Sequence, residues 1–345
     1  MLKTLAAQVK EFKWVSVLTP VCMILEVIFE MIIPLMMASI IDEGVNAGDM
    51  HHIFVMGGWM VLTAFGCLLT GVLGGKFGAE ASAGFARNLR KAMFENIQKL
   101  SFSNIDKYST AGLVTRMTTD VTNMQNAYQM ILRMFTRAPA SLIIAMCMAF
   151  YINARLASVY LIAVAFLGCA LAIMIPRAAR YFEQCFRKYD DLNASVQENV
   201  SSIRVVKAYV REQYEQSRFQ RASENVYRMF LKAERIVVAN MPLMQFTVYA
   251  CIILISWLGA RMIVVGDMTT GDLMSLMTYC MNILVSLMML SMVFVMITMS
   301  GASAKRIYEV LVEETDLKNP ENPILEVPDG SIRFSHVDFS YKKGS

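Results

Sequence analysis

Charged side chains are scarce in this sequence. Asp, Glu, Lys and Arg make up 17% of the 345 residues, whereas apolar residues make up 56% and the mean hydropathy is +0.46. Soluble domains carry about 25% charged residues, and a domain of this length does not need so much apolar surface to fill a core. The composition excludes an ordinary soluble protein and indicates an integral membrane protein.

Three kinds of site motif are also missing. The seven cysteines are scattered without C-x-x-C spacing, which indicates small core residues and no metal site. No G-x-x-x-x-G-K-[ST] loop occurs, so nothing in the sequence can cradle nucleotide phosphates or hold magnesium. No basic patch interleaved with aromatic residues occurs either, which argues against nucleic-acid binding.

Long apolar runs are what the sequence does contain. A spanning helix needs about 20 mainly apolar residues. Six stretches qualify, at 15–41, 52–75, 138–153 with its apolar flanks, 156–175, 236–260 and 271–300. The first run is too long for a signal peptide and shows no small-residue cleavage site, so it is predicted to stay as an anchor.

The basic residues predict the orientation. With the N-terminus and the connections 76–137 and 177–235 inside, 30 of the 32 Lys and Arg residues lie on the inner side, and only Arg155 and Arg261 lie outside. The chain is therefore predicted to be a multi-pass protein of the cell membrane with a cytoplasmic N-terminus. The net charge of +4 reflects this topology.

The two inner connections are long and carry helical patterns. In the first, Leu89, Met93, Ile97 and Leu100 recur at helical spacing, and a similar stripe runs through 196–214 in the second. The membrane helices are predicted to continue into the cytosol, by roughly 35–40 Å for about 25 residues at 1.5 Å each. Such stalks suit a machine that is driven by a soluble motor.

Four segments resemble a known family. They are "LSFSNIDKYSTAGLVTRMTTDVTNMQN", "ENVSSIRVVKAYVREQYEQSRF", "IIDEGVNAGD" and "ASAKRIYEVL". They occur in that family's order and lie at the predicted hairpins and helix ends. They resemble the transmembrane domain of an ABC exporter, most closely one half of a heterodimeric bacterial multidrug exporter. The resemblance implies an all-α membrane domain at 1–312, with six helices and two cytosolic coupling hairpins. A linker at 313–330 and the start of a nucleotide-binding domain at 331–345 would follow.

The last residues, "IRFSHVDFSY", resemble the first β-strand of that nucleotide-binding domain. The resemblance implies that Tyr341 stacks on adenine; an ordinary strand with a surface tyrosine is the alternative. ATP and Mg²⁺ would be bound by the part of that domain beyond residue 345. This chain is thus predicted not to hydrolyse ATP alone, although the intact protein would be an ATP-hydrolysing translocase.

Two short segments are predicted to couple the membrane domain to the nucleotide-binding domain. Both combine apolar residues with charged ones, as expected for a helical hairpin tip that docks on a moving domain. The alternative interpretation is that these segments are solvated turns of the long helices. The predicted coupling residues are Arg116, Met117 and Asp120 in "VTRMTTDV", and Arg204, Val206, Lys207 and Tyr209 in "SIRVVKAY". The resemblance implies that the second hairpin reaches across to a partner half.

Two carboxylates lie deep in the first span. Glu26 and Glu30, in "CMILEVIFEMIIP", are one turn apart on one face. A carboxylate that faces lipid costs several kcal/mol, so both are predicted to point into the bundle or a wet cavity. Structural pairing with a partner subunit, attraction of cationic amphiphiles and a proton relay remain open. No Lys or Arg of this chain is predicted at that depth, which favours the cavity interpretation.

The last span is rich in methionine. Residues 271–300 hold eight of the 29 methionines, and six of them form one stripe: Met274, Met277, Met281, Met288, Met292 and Met299. Flexible thioethers suit a surface that repacks around different ligands, so the stripe is predicted to line a substrate cavity. Ordinary helix packing is the alternative. At the outer end of the first span, the resemblance implies that Asp42 holds an external gate shut; a solvated loop charge is the alternative.

The favoured function is half of an ATP-driven exporter of drug-like or amphipathic compounds that works by alternating access. Its expected partners are a second half, identical or homologous, together with membrane lipids and a small amphipathic substrate. Export of lipid or peptide is one alternative. A secondary transporter with a cytosolic helical skirt is another, but the matched Gly/Pro-broken helices that would indicate it do not occur.

Overall fold

The computed structural model describes residues 1–317, 322–323, 326 and 329–338. Its α-helices, in chain order, are α1 (Leu2–Ala6), α2 (Lys13–Ser39), α3 (Met50–Ile97), α4 (Phe102–Tyr108), α5 (Thr110–Thr115), α6 (Val121–Ile152), α7 (Ala154–Ser201), α8 (Ile203–Ala208), α9 (Glu212–Val265) and α10 (Thr270–Val312). A 3-10 segment, Ala7–Phe12, joins α1 to α2. Short π-helical segments occur at Ile40–Val45 and Arg116–Asp120.

The six predicted spans and the helical class are confirmed. The helices α2, α3, α6, α7, α9 and α10 belong to six segments that are long and apolar enough to cross a membrane. Of these, α3 and α7 each contain 48 residues and α9 contains 54. At 1.5 Å per residue they are about 72–81 Å long, against about 30 Å for the apolar core of a bilayer. Each therefore extends well beyond the membrane, as the helical stripes predicted.

The long helices form two groups that share one core. One group is the bundle of α2, α3, α6 and α10, and the other is the pair of α7 and α9. The pair joins the bundle through a large buried cluster. Within it, the hydroxyl of Tyr160 on α7 donates to the carbonyl of Leu276 at 2.8 Å, and the hydroxyl of Tyr279 on α10 donates to the carbonyl of Met31 at 2.6 Å. These bonds satisfy buried hydroxyls, so they fix how the elements meet.

A second core lies at the end that carries α4, α5 and the end of α10, which we call the stalk side. It joins α1, α3, α5, α6 and α10 through buried residues that include Leu5, Leu89, Val121 and Ile307. No residue of α7 or α9 belongs to this core. The second hairpin, formed by α7, α8 and α9, therefore stands apart from the bundle on the stalk side.

Helices α2 and α3 approach closely at glycines of α3. A Cβ at Gly74 would lie 2.3 Å from the Cε of Met23, and one at Gly78 would lie 3.0 Å from the Cδ of Arg133 on α6. Side chains at these two positions would have to displace the side chains of Met23 and Arg133. Gly74 and Gly78 are four residues apart, a spacing of small residues that allows helices to approach closely, and here it supports packing within this chain.

The tail does not show the predicted strand. Residues 331–338 are in extended or irregular conformation without strand pairing. A strand needs a neighbour to take up its backbone hydrogen bonds, and the described residues offer the tail none. Tyr341, the predicted adenine-stacking residue, lies outside the described residues.

Candidate functional site

An ion-pair triad joins α2 to α6 within the membrane-spanning part. Glu26 and Glu30 lie on the face of α2 that meets α6, and Arg137 of α6 lies between them. One guanidinium nitrogen, Nη2, donates to Oε2 of Glu30 at 2.8 Å, and Nη1 donates to Oε1 of Glu26. On the third side, a Cβ at Gly71 would lie 3.3 Å from the carboxyl carbon of Glu26, so α3 closes over this carboxylate.

The prediction that no basic residue of this chain reaches Glu26 and Glu30 is wrong. The sequence placed Arg137 in the connection 76–137, because the apolar run of the third span was taken to begin at 138. In the structure α6 begins at Val121, and Arg137 lies well inside the helix. The triad contains two carboxyl groups and one guanidinium, and the side chains of Glu30 and Arg137 are each about one-third exposed.

The methionines of α10 lie mostly on an exposed face. Met274, Met281, Met288 and Met292 are exposed and Met277 is half-buried, whereas the opposite face of α10 is buried in the large core. The side chain of Met299 lies outside what the structure describes. The exposed methionines therefore leave about half of their surface uncovered by this chain. Their contact with a substrate remains a prediction.

Asp42 ties the end of the first span to the start of α10. Its Oδ1 accepts from the backbone N–H of Gly271 at 3.0 Å and from the hydroxyl of Thr270 at 3.3 Å. The fit is close, because a Cβ at Gly271 would lie 2.6 Å from the carbonyl oxygen of Ala38. Asp42 thus satisfies an N–H in the first turn of α10. Its role in an external gate remains a prediction.

The tip of the first hairpin is not where the sequence placed it. The short helix between the long arms is α4, which begins after Ser101. The Ser101 hydroxyl accepts from the N–H of Asn104, and the side chain of Asn104 bonds back to the N–H of Ser101. Phe102, in the first turn of α4, is 86% exposed. This capping box in "SFSN" was the signal that the sequence analysis missed.

The predicted first coupling segment instead packs against α10. Asp120 is fully buried: its Oδ2 accepts from Nε of Arg306 at 2.7 Å, and its Oδ1 accepts from the hydroxyl of Ser303 at 2.8 Å. Arg116 donates to the carbonyl of Arg306 at 2.9 Å, and Met117 packs on the stalk-side core. The prediction that "VTRMTTDV" forms the hairpin tip is therefore wrong. Its charges serve contacts inside the chain.

Hydrogen bonds keep Asp120 ionised. Burial works against the charged form, but the bonds from Arg306 and Ser303 outweigh it and hold the pKa of the Asp120 carboxyl below its usual value. The same contact raises the pKa of Arg306. The ion pair between the buried Asp120 and Arg306 ties α10 to the first hairpin.

The tip of the second hairpin lies where the sequence predicted a short helix. Helix α8 covers Ile203–Ala208 and has no buried residue. Arg204, Lys207 and Tyr209 are exposed and Val206 is half-buried. Lys207 donates to Glu212 at 3.0 Å, across the turn into α9. The tip is free for a contact outside this chain, and its docking role remains a prediction.

Six long helices, two stalk hairpins and two short tip helices describe one architecture, and comparison with known proteins agrees with it. Residues 17–288 match the family model of the ABC transporter transmembrane region. The chain belongs to this family.

Curated relatives of this ABC transporter chain have names that state different transported compounds, or none. An uncharacterised ABC transporter ATP-binding protein of Bacillus subtilis, YfiB, is 29% identical over 96% of the chain and 58% of its own length. An ATP-dependent lipid A-core flippase of Desulfotalea psychrophila is 28% identical over 67% of the chain and 41% of its own length. YheI of B. subtilis, a probable multidrug resistance transporter, is 27% identical over 56% of the chain and 33% of its own length. The chain thus spans less than two-thirds of the length of these relatives.

Proposed function

We propose that this chain is the membrane half of an ATP-driven exporter that moves amphipathic, drug-like compounds out of the cell. The stalk side would lie in the cytosol, where nucleotide-binding domains act on the two hairpin tips. ATP and Mg²⁺ would be bound there, with Tyr341 stacking on adenine. The working unit would contain a second half, identical or homologous, whose own helices complete the substrate path.

The observation that carries the proposal is the second hairpin. Its arms extend far past the membrane, the stalk-side halves of α7 and α9 take no part in the stalk-side core, and α8 is exposed. Arms whose stalk-side halves take no part in the stalk-side core suit a lever that receives force from a soluble domain. Two such levers, closing and opening with nucleotide, would alternate access to the path between the halves.

The exposed methionines of α10 favour amphipathic cargo. Thioether side chains are flexible and polarisable, so a row of them can adapt to ligands of different shape. The Glu26–Arg137–Glu30 triad holds two carboxyl groups for one guanidinium, so it would favour cationic over anionic compounds. Lipid export is the second candidate, and the likeness to a relative named as a lipid A-core flippase supports it.

Transport by the full-length protein with its partner tests the class. In inside-out membrane vesicles, we expect uptake of a lipophilic cationic dye that requires ATP, stops with vanadate and survives a protonophore. A neutral dye and a fluorescent phospholipid provide the comparison among cargoes. Uptake driven by a pH gradient without ATP would contradict the proposal and indicate a secondary transporter.

Replacement of the exposed methionines tests the cargo. Changing Met274, Met281, Met288 and Met292 to Leu keeps the surface apolar but makes it stiffer. We expect the range of compounds that stimulate ATP hydrolysis to narrow, while basal hydrolysis stays unchanged. The matched control is Met23→Leu with Met31→Leu, because both side chains are fully buried. If the range of stimulating compounds narrows equally in the control, or does not narrow in the fourfold variant, this face of α10 serves only in helix packing.

A further inference from the structure

The first hairpin grips the end of α10 with several side chains. Helix α10 ends at Val312, and the next residue, Glu313, is extended. Its carboxylate accepts from three donors of α4: Lys107 at 2.8 Å, Asn104 at 3.0 Å and the hydroxyl of Tyr108 at 2.6 Å. The hydrogen bonds from Lys107 and then Tyr108 lower the pKa of the Glu313 carboxyl. Glu313 is thus a charged acceptor for most of one face of the tip helix.

The grip extends to the backbone on both sides of Glu313. Asn96, near the end of α3, donates to the carbonyls of Val310 at 2.7 Å and Glu313 at 2.9 Å. The last carbonyls of a helix have no partner within it, so Asn96 caps the C-terminus of α10 from another helix. Three residues beyond Glu313, the hydroxyl of Ser103 donates to Asp316 at 2.6 Å. The contact therefore covers the first residues of the predicted linker.

A second row of contacts continues the grip toward the membrane. The guanidinium of Arg116 lies over the ring of Tyr108, 4.6 Å from its centroid. Arg116 also pairs with Glu309 at 3.1 Å, one turn before the end of α10. The Asp120–Arg306 pair lies about one turn further back. Each of the last turns of α10 is thus tied to the first hairpin by a polar side chain.

We infer that Glu313 is a positioning residue for coupling: it locks the tip helix α4 to the start of the linker, so that both move as one body. This inference rests on the proposed function. A nucleotide-binding domain would act on this chain at two places, through the linker and through the exposed surface of α4 around Phe102. With the lock in place both actions turn α10 together. Without it α4 can follow the domain while α10 lags, and hydrolysis loses its effect on transport.

The test is Glu313→Gln in the full-length protein assembled with its partner. The amide cannot form the ion pair with Lys107, and one of its ends no longer accepts. We expect transport per ATP hydrolysed to fall several-fold while basal hydrolysis is unchanged. The matched control is Glu183→Gln, which breaks an exposed ion pair with Arg187 on α7, 2.6 Å long, and should leave the ratio as in the parent. Equal ratios in the two variants would overturn the inference.

A crosslink provides a second measurement if Glu313→Gln fails to fold. In a background without the seven native cysteines, Lys107→Cys with Glu313→Cys is joined by a short thiol-specific crosslinker. A lock that stays closed predicts that the crosslinked protein transports at least as much per ATP as the uncrosslinked pair. Arrest of transport on crosslinking, restored by a cleavable reagent, would show that α4 and the linker must separate and would overturn the inference. Loss of ATP-driven transport in the parent protein itself would contradict the proposed function instead.

Discussion

Replacing Arg137 by Met should destabilise the protein by up to about 3–5 kcal/mol, the cost of removing one partner of a buried ion pair, because it strands the carboxylate of Glu26, whose side chain is only 13% exposed. Met has similar length, so the loss is one of charge and hydrogen bonds and not of volume. It leaves Glu26 and Glu30 facing each other within the membrane-spanning part, with no other basic partner among the described ion pairs for either carboxylate. The measurements are the midpoint temperature of thermal unfolding and the midpoint denaturant concentration of unfolding, both for the protein purified in detergent.

Neutralising the whole triad separates structure from transport. Arg137→Met with Glu26→Gln and Glu30→Gln leaves no unpaired charge, so it should recover most of the lost stability. The pair Glu26→Gln with Glu30→Gln leaves Arg137 unpaired and should lie between the two. If the triple variant is stable but loses transport of a cationic dye and keeps that of a neutral one, the triad reads the charge of the cargo. A triple variant as unstable as Arg137→Met alone would contradict the ion-pair account.

Arg306→Met should also cost about 3–5 kcal/mol, and more than Asp120→Asn, for which about 1–2 kcal/mol is expected. The difference follows from exposure. The side chain of Asp120 is 0% exposed and that of Arg306 is 46% exposed. Removing the arginine strands a buried carboxylate, whereas removing the carboxylate leaves a guanidinium that water can reach. Thermal unfolding of the two variants shows which substitution lowers the stability more.

Arg187→Met is the control for Arg306→Met. Arg187 pairs with Glu183 on α7, and both side chains are about two-thirds exposed, so its loss should cost less than about 1 kcal/mol. The pH dependence gives a separate check. The pKa of Asp120 in the folded protein is below its unfolded value of about 3.9. The ionised carboxylate therefore stabilises the folded state above that pH, and this stabilisation is lost as the pH falls through the folded-state pKa. Equal costs for Arg306→Met and Asp120→Asn would contradict the exposure argument.

The spans and stalks could be predicted because their signals are periodic and long. Apolar runs of about 20 residues, and a helical stripe such as that over 196–214, can be recognised even when the ends of the helix are predicted wrongly by a few residues. The first hairpin tip could not be located in this way, since α4 is only seven residues long and carries no strong periodicity. The charged string "TRMTTD" attracted the prediction because charge in a polar connection normally means exposure. Here its carboxylate is paired with Arg306, 186 residues away in the sequence.

The Glu26–Arg137 pair was missed for a related reason. Span boundaries were drawn from hydropathy, which treats every arginine as a reason to end a membrane helix. Arg137 can lie inside α6 because two carboxylates of another helix neutralise it, and that compensation depends on the fold and not on the local sequence. Two carboxylates one turn apart within a span were themselves the signal that a basic residue should be sought nearby.

The separation of the second hairpin from the bundle has a consequence for the life of the protein in the cell. Large apolar side chains such as Phe186, Val200, Tyr214 and Phe230 are exposed along its stalk-side arms. If the proposed second half covers this surface, a copy synthesised without it would keep these side chains open to water, where chaperones and proteases recognise them. Orphan copies should therefore be short-lived and prone to aggregate. Under that proposal, balanced synthesis of the two halves would be a condition for accumulating either one.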